Sequence, residues 1–178
     1  AEGVTFVEGD QELAYHLDTA HRATRSDQAL ATYKAADGSR VDGAGVTIAV
    51  IDSGIDGTHP MFTKDGTSKV VRNMKNVCGV VLVATTNELC YAPVPTNDTA
   101  TVSAGGHGTH VAGIAAGYEV TSTSPAGTAL RGAAPGAKLV GLSVGAAIGL
   151  RDSNSAMNWV LEHQQHPCRS AAEARARS

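Results

Sequence analysis

Two short apolar runs, VTIAVID (46–52) and AKLVGLSV (137–144), constrain the fold of this chain more than any other feature. A strand that alternates apolar and polar side chains buries one face. A nearly continuous apolar run must be covered on both, as in the parallel sheets of α/β proteins. Between the runs lies GGHGTHVAGIAAG (105–117), in which Val111, Ile114 and Ala115 recur at helical spacing and Gly117 stands where a helix would end. SNSAMNWVLEH (153–163) then has the pattern of an amphipathic helix, with Pro167 beyond it. Strand, helix, strand, helix predicts an α/β fold, a parallel sheet joined by helical crossovers.

The 178 residues suit one domain or part of one, and 17% charged against 42% hydrophobic residues disfavours both disorder and coiled coil. A formal charge of -3 without a basic block argues against nucleic acid as a partner. The longest strongly apolar stretch, Val80 to Ala84, is far too short to span a membrane, so no membrane association is expected. The chain opens on Ala rather than Met and has no signal peptide, which suggests a processed or excerpted segment. Residues 1–18 carry five acids and no Lys or Arg, and VTFVE (4–8) would suit a short strand. Residues 19–44 read as polar, with a strong turn signal over 36–45 and a boundary near residue 40. The segment from 57 to 104 is mixed, with strand-like VVLVA (80–84) and a loop around APVPTNDT. From Cys168 the chain turns to CRSAAEARARS, without a large apolar residue.

Three cysteines cannot all pair within the chain. A bridge between Cys78 and Cys90 would close a short loop, contribute roughly 3 kcal/mol and fit an extracellular setting. Two unpaired thiols are the alternative, and Cys168 has no obvious partner. The acceptor pattern Asn97-Asp98-Thr99 is too common to carry weight.

Asp52 closes the first buried strand, where α/β sheets place their sites, and His107 opens a helix behind two glycines that permit close backbone approach. If the two side chains met, the carboxylate would fix the imidazole tautomer and stabilise its protonated form, as general-base activation of a nucleophile requires. Taken alone, each could equally be a local cap.

The strings around them are more specific. VTIAVIDSGIDGTHP, GGHGTHVAGIAAG and RGAAPGAKLVGLSV (131–144), in that order, closely resemble the aspartate, histidine and following segments of the subtilisin-like serine peptidases, with Ala133 where the family usually has Val. The resemblance covers roughly residues 41–166 and implies a three-layer, parallel-sheet subtilisin-like fold, incomplete at its C-terminal side. It makes residues 1–40 a lead-in, with VTFVEGD similar to the end of an inhibitory propeptide, and 167–178 an atypical tail. It implies Asp52 as triad acid and His107 as base, with His110 a packing residue. It also implies polypeptide substrates, an extracellular location and a monomer if the chain folds.

In the family the triad runs Asp, His, Ser, and no Gly-Thr-Ser-Met-Ala-like string follows here. The asparagine segment of the oxyanion hole and the Ser-x-Gly-Gly strand are absent as well. The resemblance thus implies a serine endopeptidase present as a fragment, with acid and base but no nucleophile, inactive by itself and aggregation-prone. A frameshift beyond Pro167 would explain the tail. The alternative is a non-enzymatic relative, a binding or inhibitory module or a chain without function.

Other chemistries are weaker. GLSVG (141–145) fits the elbow of α/β-hydrolases, which would make Ser143 an esterase nucleophile, but AAIGLRDSN intervenes before any helix and Ser143 reads as a strand end. His107, His110 and Asp56 lack the spacing of a zinc site, and Asp56 and His59 sit in a turn. No cofactor is expected. Calcium is possible in the family, but Met61 stands where a ligand Asp would be, and YEVTSTSPAGTAL (118–130) lacks the usual Asn. By resemblance, Gly132 to Pro135 and Gly145 to Asp152 would lie near an edge that binds extended substrate.

Overall fold

The computed structural model describes residues 17–76, 91–93, 106–121, 129–145 and 150–164. Helices α1 (Leu17–Thr24) and α2 (Ser26–Thr32) come first, then strand β1 (Thr47–Asp52), a single 3-10 turn at Pro60–Phe62, and the short β2 (Thr63–Lys64) and β3 (Thr67–Ser68). Strands β4 (Val70–Asn76) and β5 (Tyr91–Pro93), helix α3 (His107–Ala116), the short pair β6 (Val120–Thr121) and β7 (Ala129–Leu130), strand β8 (Lys138–Ser143) and helix α4 (Leu150–His163) follow.

The main sheet has the order β1-β8-β4-β5. Strand β8 lies parallel to β1 and to β4, and only β5 runs antiparallel. The register pairs Thr47 with Lys138 and ends with Asp52 beside Ser143. Side chains alternate across the sheet. Val50 and Leu139 belong to a core with Phe62, Ala112 and Ala116 on the α3 side, while Val140, Leu142 and Val144 join Ala156 and Trp159 on the α4 side. The chain thus forms an α/β fold with one helix layer on each side of a largely parallel sheet, β8 buried on both faces and β1 less completely. Asp52 and Ser143 share the face toward α3, because they follow Val50 and Leu139 at even spacing.

The structure departs from the sequence reading in two places. Residues read as polar lead-in form α1 and α2, whose anchor is tertiary: buried His21 bonds to Ser26 and, through Nε2, to the Arg131 carbonyl at 2.7 Å, while Arg131 pairs with Asp27. Strand β4 was not foreseen, because VVRNMKN lacks clean alternation. A register shift between Val70 and Arg72 explains this, turning Val71 toward the α4 side with Met74. The turn signal over 36–45 is borne out by left-handed Gly38, Gly43 and Gly45. VTFVE, VVLVA, Cys78, Cys90, Asn97 and Cys168 lie outside the described residues.

Candidate active site

Strand β1 delivers Asp52 to the C-terminal edge of the sheet, where its carbonyl accepts the Val144 N–H at 2.8 Å. Helix α3 presents His107 as its first residue, following Gly106 in the left-handed region at φ 78°. The close approach foreseen for the preceding glycines belongs instead to Gly108: a Cβ there would stand 2.3 Å from the Gly54 carbonyl and 3.0 Å from Asp52 Oδ1, whereas one on Gly106 would meet nothing within 4 Å. Gly106 answers to its backbone angle, Gly108 to space.

These constraints bring Asp52 and His107 together, with Nδ1 2.9 Å from both carboxylate oxygens. An ionised carboxylate only accepts, so Nδ1 carries the proton and Nε2, on the opposite edge of the ring, is left as the basic nitrogen. The Asp52 side chain is 9% exposed and that of His107 63%. Burial by itself would push the Asp52 carboxyl up, but hydrogen bonds from His107 and from the Ser53 N–H outweigh it and hold the carboxyl below its ordinary value. The Ser53 N–H lies 2.6 Å from Oδ1.

Residues 43–169 match the sequence model of the subtilase family. The chain belongs to the subtilase family. No solved structure matches it. Membership implies a peptidase fold and polypeptide substrates, and no helix among the described residues is long and apolar enough to cross a membrane.

The remaining candidates of this subtilase are placed differently. Ser143 ends β8, only 3% exposed, and its hydroxyl donates to the Ser53 carbonyl at 3.1 Å, so the strand-end reading holds. Asp56 accepts from the Thr58 N–H and hydroxyl, and His59 Nδ1 accepts from the Met61 N–H, so both serve their turn. Met61 packs against the core near Gly113 and Gly117, and a thioether so seated does not fit a calcium ligand. His110 is exposed rather than packed in the core. The stretch from Gly132 to Pro135 was expected near the substrate edge, yet its N–H groups are committed elsewhere: those of Gly132, Ala133 and Ala134 donate to the carbonyls of Gly117, Ile114 and Ala115, closing the C-terminal end of α3.

Sequence reasoning missed the polar groups beneath the pair. The Ser53 hydroxyl accepts the Gly108 N–H at 3.0 Å, Thr109 Oγ1 accepts the Asp56 N–H, and Asn73 donates to the Ile55 carbonyl. Ser53 and Thr109 lie inside the strings that carry the resemblance, which was the available signal. Asn73, on unforeseen β4, had none.

Proposed function

We propose that this chain carries the orienting acid, Asp52, and the general base, His107, of a serine endopeptidase acting on polypeptides outside the cell, and that it needs no metal or cofactor for that chemistry. The reading is supported above all by Nδ1 of His107 resting 2.9 Å from both oxygens of a buried carboxylate while the imidazole stays open to its surroundings.

In the reaction a serine hydroxyl attacks the substrate carbonyl carbon, and its proton passes to His107 Nε2 as the new C–O bond forms. Asp52 stabilises the resulting imidazolium. The proton then goes to the leaving amine as the C–N bond breaks, and water repeats the sequence on the acyl-enzyme, releasing the acid and restoring the serine. The serine is the element the 178 residues do not supply in a recognisable string. Buried Ser143 does not replace it.

The chain alone is therefore expected to show no triad-dependent hydrolysis, since loss of the nucleophile costs about a millionfold in turnover, the magnitude known for subtilisin itself. A casein or peptide assay with and without a serine-directed phosphonate, repeated in a chelator, checks this. Phosphonate-sensitive cleavage by the purified chain would overturn the inactive reading, and sensitivity to the chelator would overturn the metal-free one.

A further inference from the structure

We propose that Ser143 is a positioning residue for the Asp52–His107 pair, acting through the peptide of Ser53. The proposal rests on the reading of those two residues as acid and base.

Ser53 is hydrogen-bonded both to Asp52 and to the backbone of the residue that follows His107. Its N–H donates to Asp52 Oδ1 at 2.6 Å, and its hydroxyl accepts at 3.0 Å from the N–H of Gly108, the neighbour of His107 on α3. Its carbonyl is held in turn by the Ser143 hydroxyl at 3.1 Å. Both serines are buried, at 4% and 3% exposure, so no bulk water can take over the bond. Ser143 reaches this carbonyl because parallel pairing sets it beside Asp52 at the end of the sheet, on the face toward α3.

The Ser53 carbonyl, N–H and hydroxyl all hang from one Cα, so a displacement of that Cα would shift the hydroxyl that anchors α3 and the N–H that anchors the carboxylate together. The Ser143 bond opposes that displacement from the end of β8. The serine of the elbow-like GLSVG string thus acts as a strut under the base, with its proton committed to a carbonyl.

The test uses the full 178-residue chain labelled with 13C and 15N histidine, the His107 signals being assigned from His107→Gln. Ring-nitrogen shifts report which nitrogen holds the proton, and exchange broadening reports how fast it leaves. Asp52→Ala is expected to abolish the Nδ1-protonated form of His107. If it does not, the acid–base reading itself fails, whatever Ser143 does. With that arm in place, Ser143→Ala is expected to speed exchange of the Nδ1 proton about five- to tenfold, the consequence of losing a hydrogen bond of roughly 1 kcal/mol, while thermal unfolding stays cooperative. Ser143→Thr, which keeps the hydroxyl, is expected to restore the slow exchange.

A purely structural role would lower the melting temperature without moving the His107 signals, and that result overturns the proposal. Should Ser143→Ala not fold, the size-matched Ser143→Thr and Ser143→Val decide: slow exchange in Thr alone supports the strut, and equal exchange in both overturns it. Failure of Val to fold as well would assign the hydroxyl to the sheet and overturn the proposal too.

Discussion

The hydrogen bonds from His107 and Ser53 outweigh burial and hold the Asp52 carboxyl below its ordinary value, and that has a consequence for acid stability. Its folded pKa lies below the ordinary 3.8, so between the two values the unfolded chain binds a proton that the folded chain does not. The stabilisation is therefore fully present above about pH 4 and is lost as pH falls through the folded value. Asp52→Asn, which cannot titrate, is expected to unfold at lower urea than the parent at pH 6 and to lose less of its remaining stability on going to pH 3. Parallel pH profiles for the two chains would contradict this. Asp52 and His107 could both be read from the sequence because their neighbours form unusual strings. Ser143 could not be assigned its partner that way, because its bond to Ser53 spans 90 residues and depends on the register of β1 against β8.

The same distinction separates the elements that were foreseen from those that were not. Strands β1 and β8 and helices α3 and α4 announce themselves by continuous or periodic apolar residues, whereas α1 and α2 are eight and seven residues long and owe their place to His21 and Arg131. Helix α3 shows how elements are joined. Its last carbonyl, on Ala116, accepts from Lys69 Nζ at 2.6 Å; the same ammonium donates to the Pro135 carbonyl and sits 3.8 Å from the Tyr118 ring centroid. Lys69 thus ties the segment ahead of β4 to the end of α3 and to the turn before β8. Burial pushes its amine down to about 8, against a partial upward pull from Asp42. Between about pH 8 and 10.5 the unfolded chain holds a proton that the folded chain has released, so this residue makes the fold more stable as pH rises across that window. Lys69→Met leaves two carbonyls without their donor and is expected to cost about 1–3 kcal/mol at pH 7. The gap to the parent should widen toward pH 10 in urea titrations; a gap that narrows would show that the charged form is the better partner.

For the molecule as a whole, the decisive feature is the outer edge of β1. Within the described sheet β1 has a neighbour on one side only, and the carbonyls of Val46 and Asp52 are engaged with β8. Alternation along a strand then turns the backbone groups of Thr47, Ala49 and Ile51 toward the open side. Ala49 is exposed there, and Thr47 and Ala49 line a groove of about 330 Å³ together with Trp159, Val160 and His163 of α4. On α4, Met157 and Leu161 are 47% and 62% exposed one turn apart, so apolar surface continues beside the groove. An edge strand whose backbone groups have no partner among the described residues, and whose single charge lies at its end, is a template for a second chain. The 178-residue chain is therefore expected to associate with rising concentration. Ala49→Lys places a charge in the middle of the edge at an exposed residue that belongs to neither core cluster, and should return the chain to a monomeric mass in sedimentation velocity with its circular dichroism unchanged. Association that persists in Ala49→Lys but falls in Leu161→Lys would move the contact from the sheet edge to the face of α4.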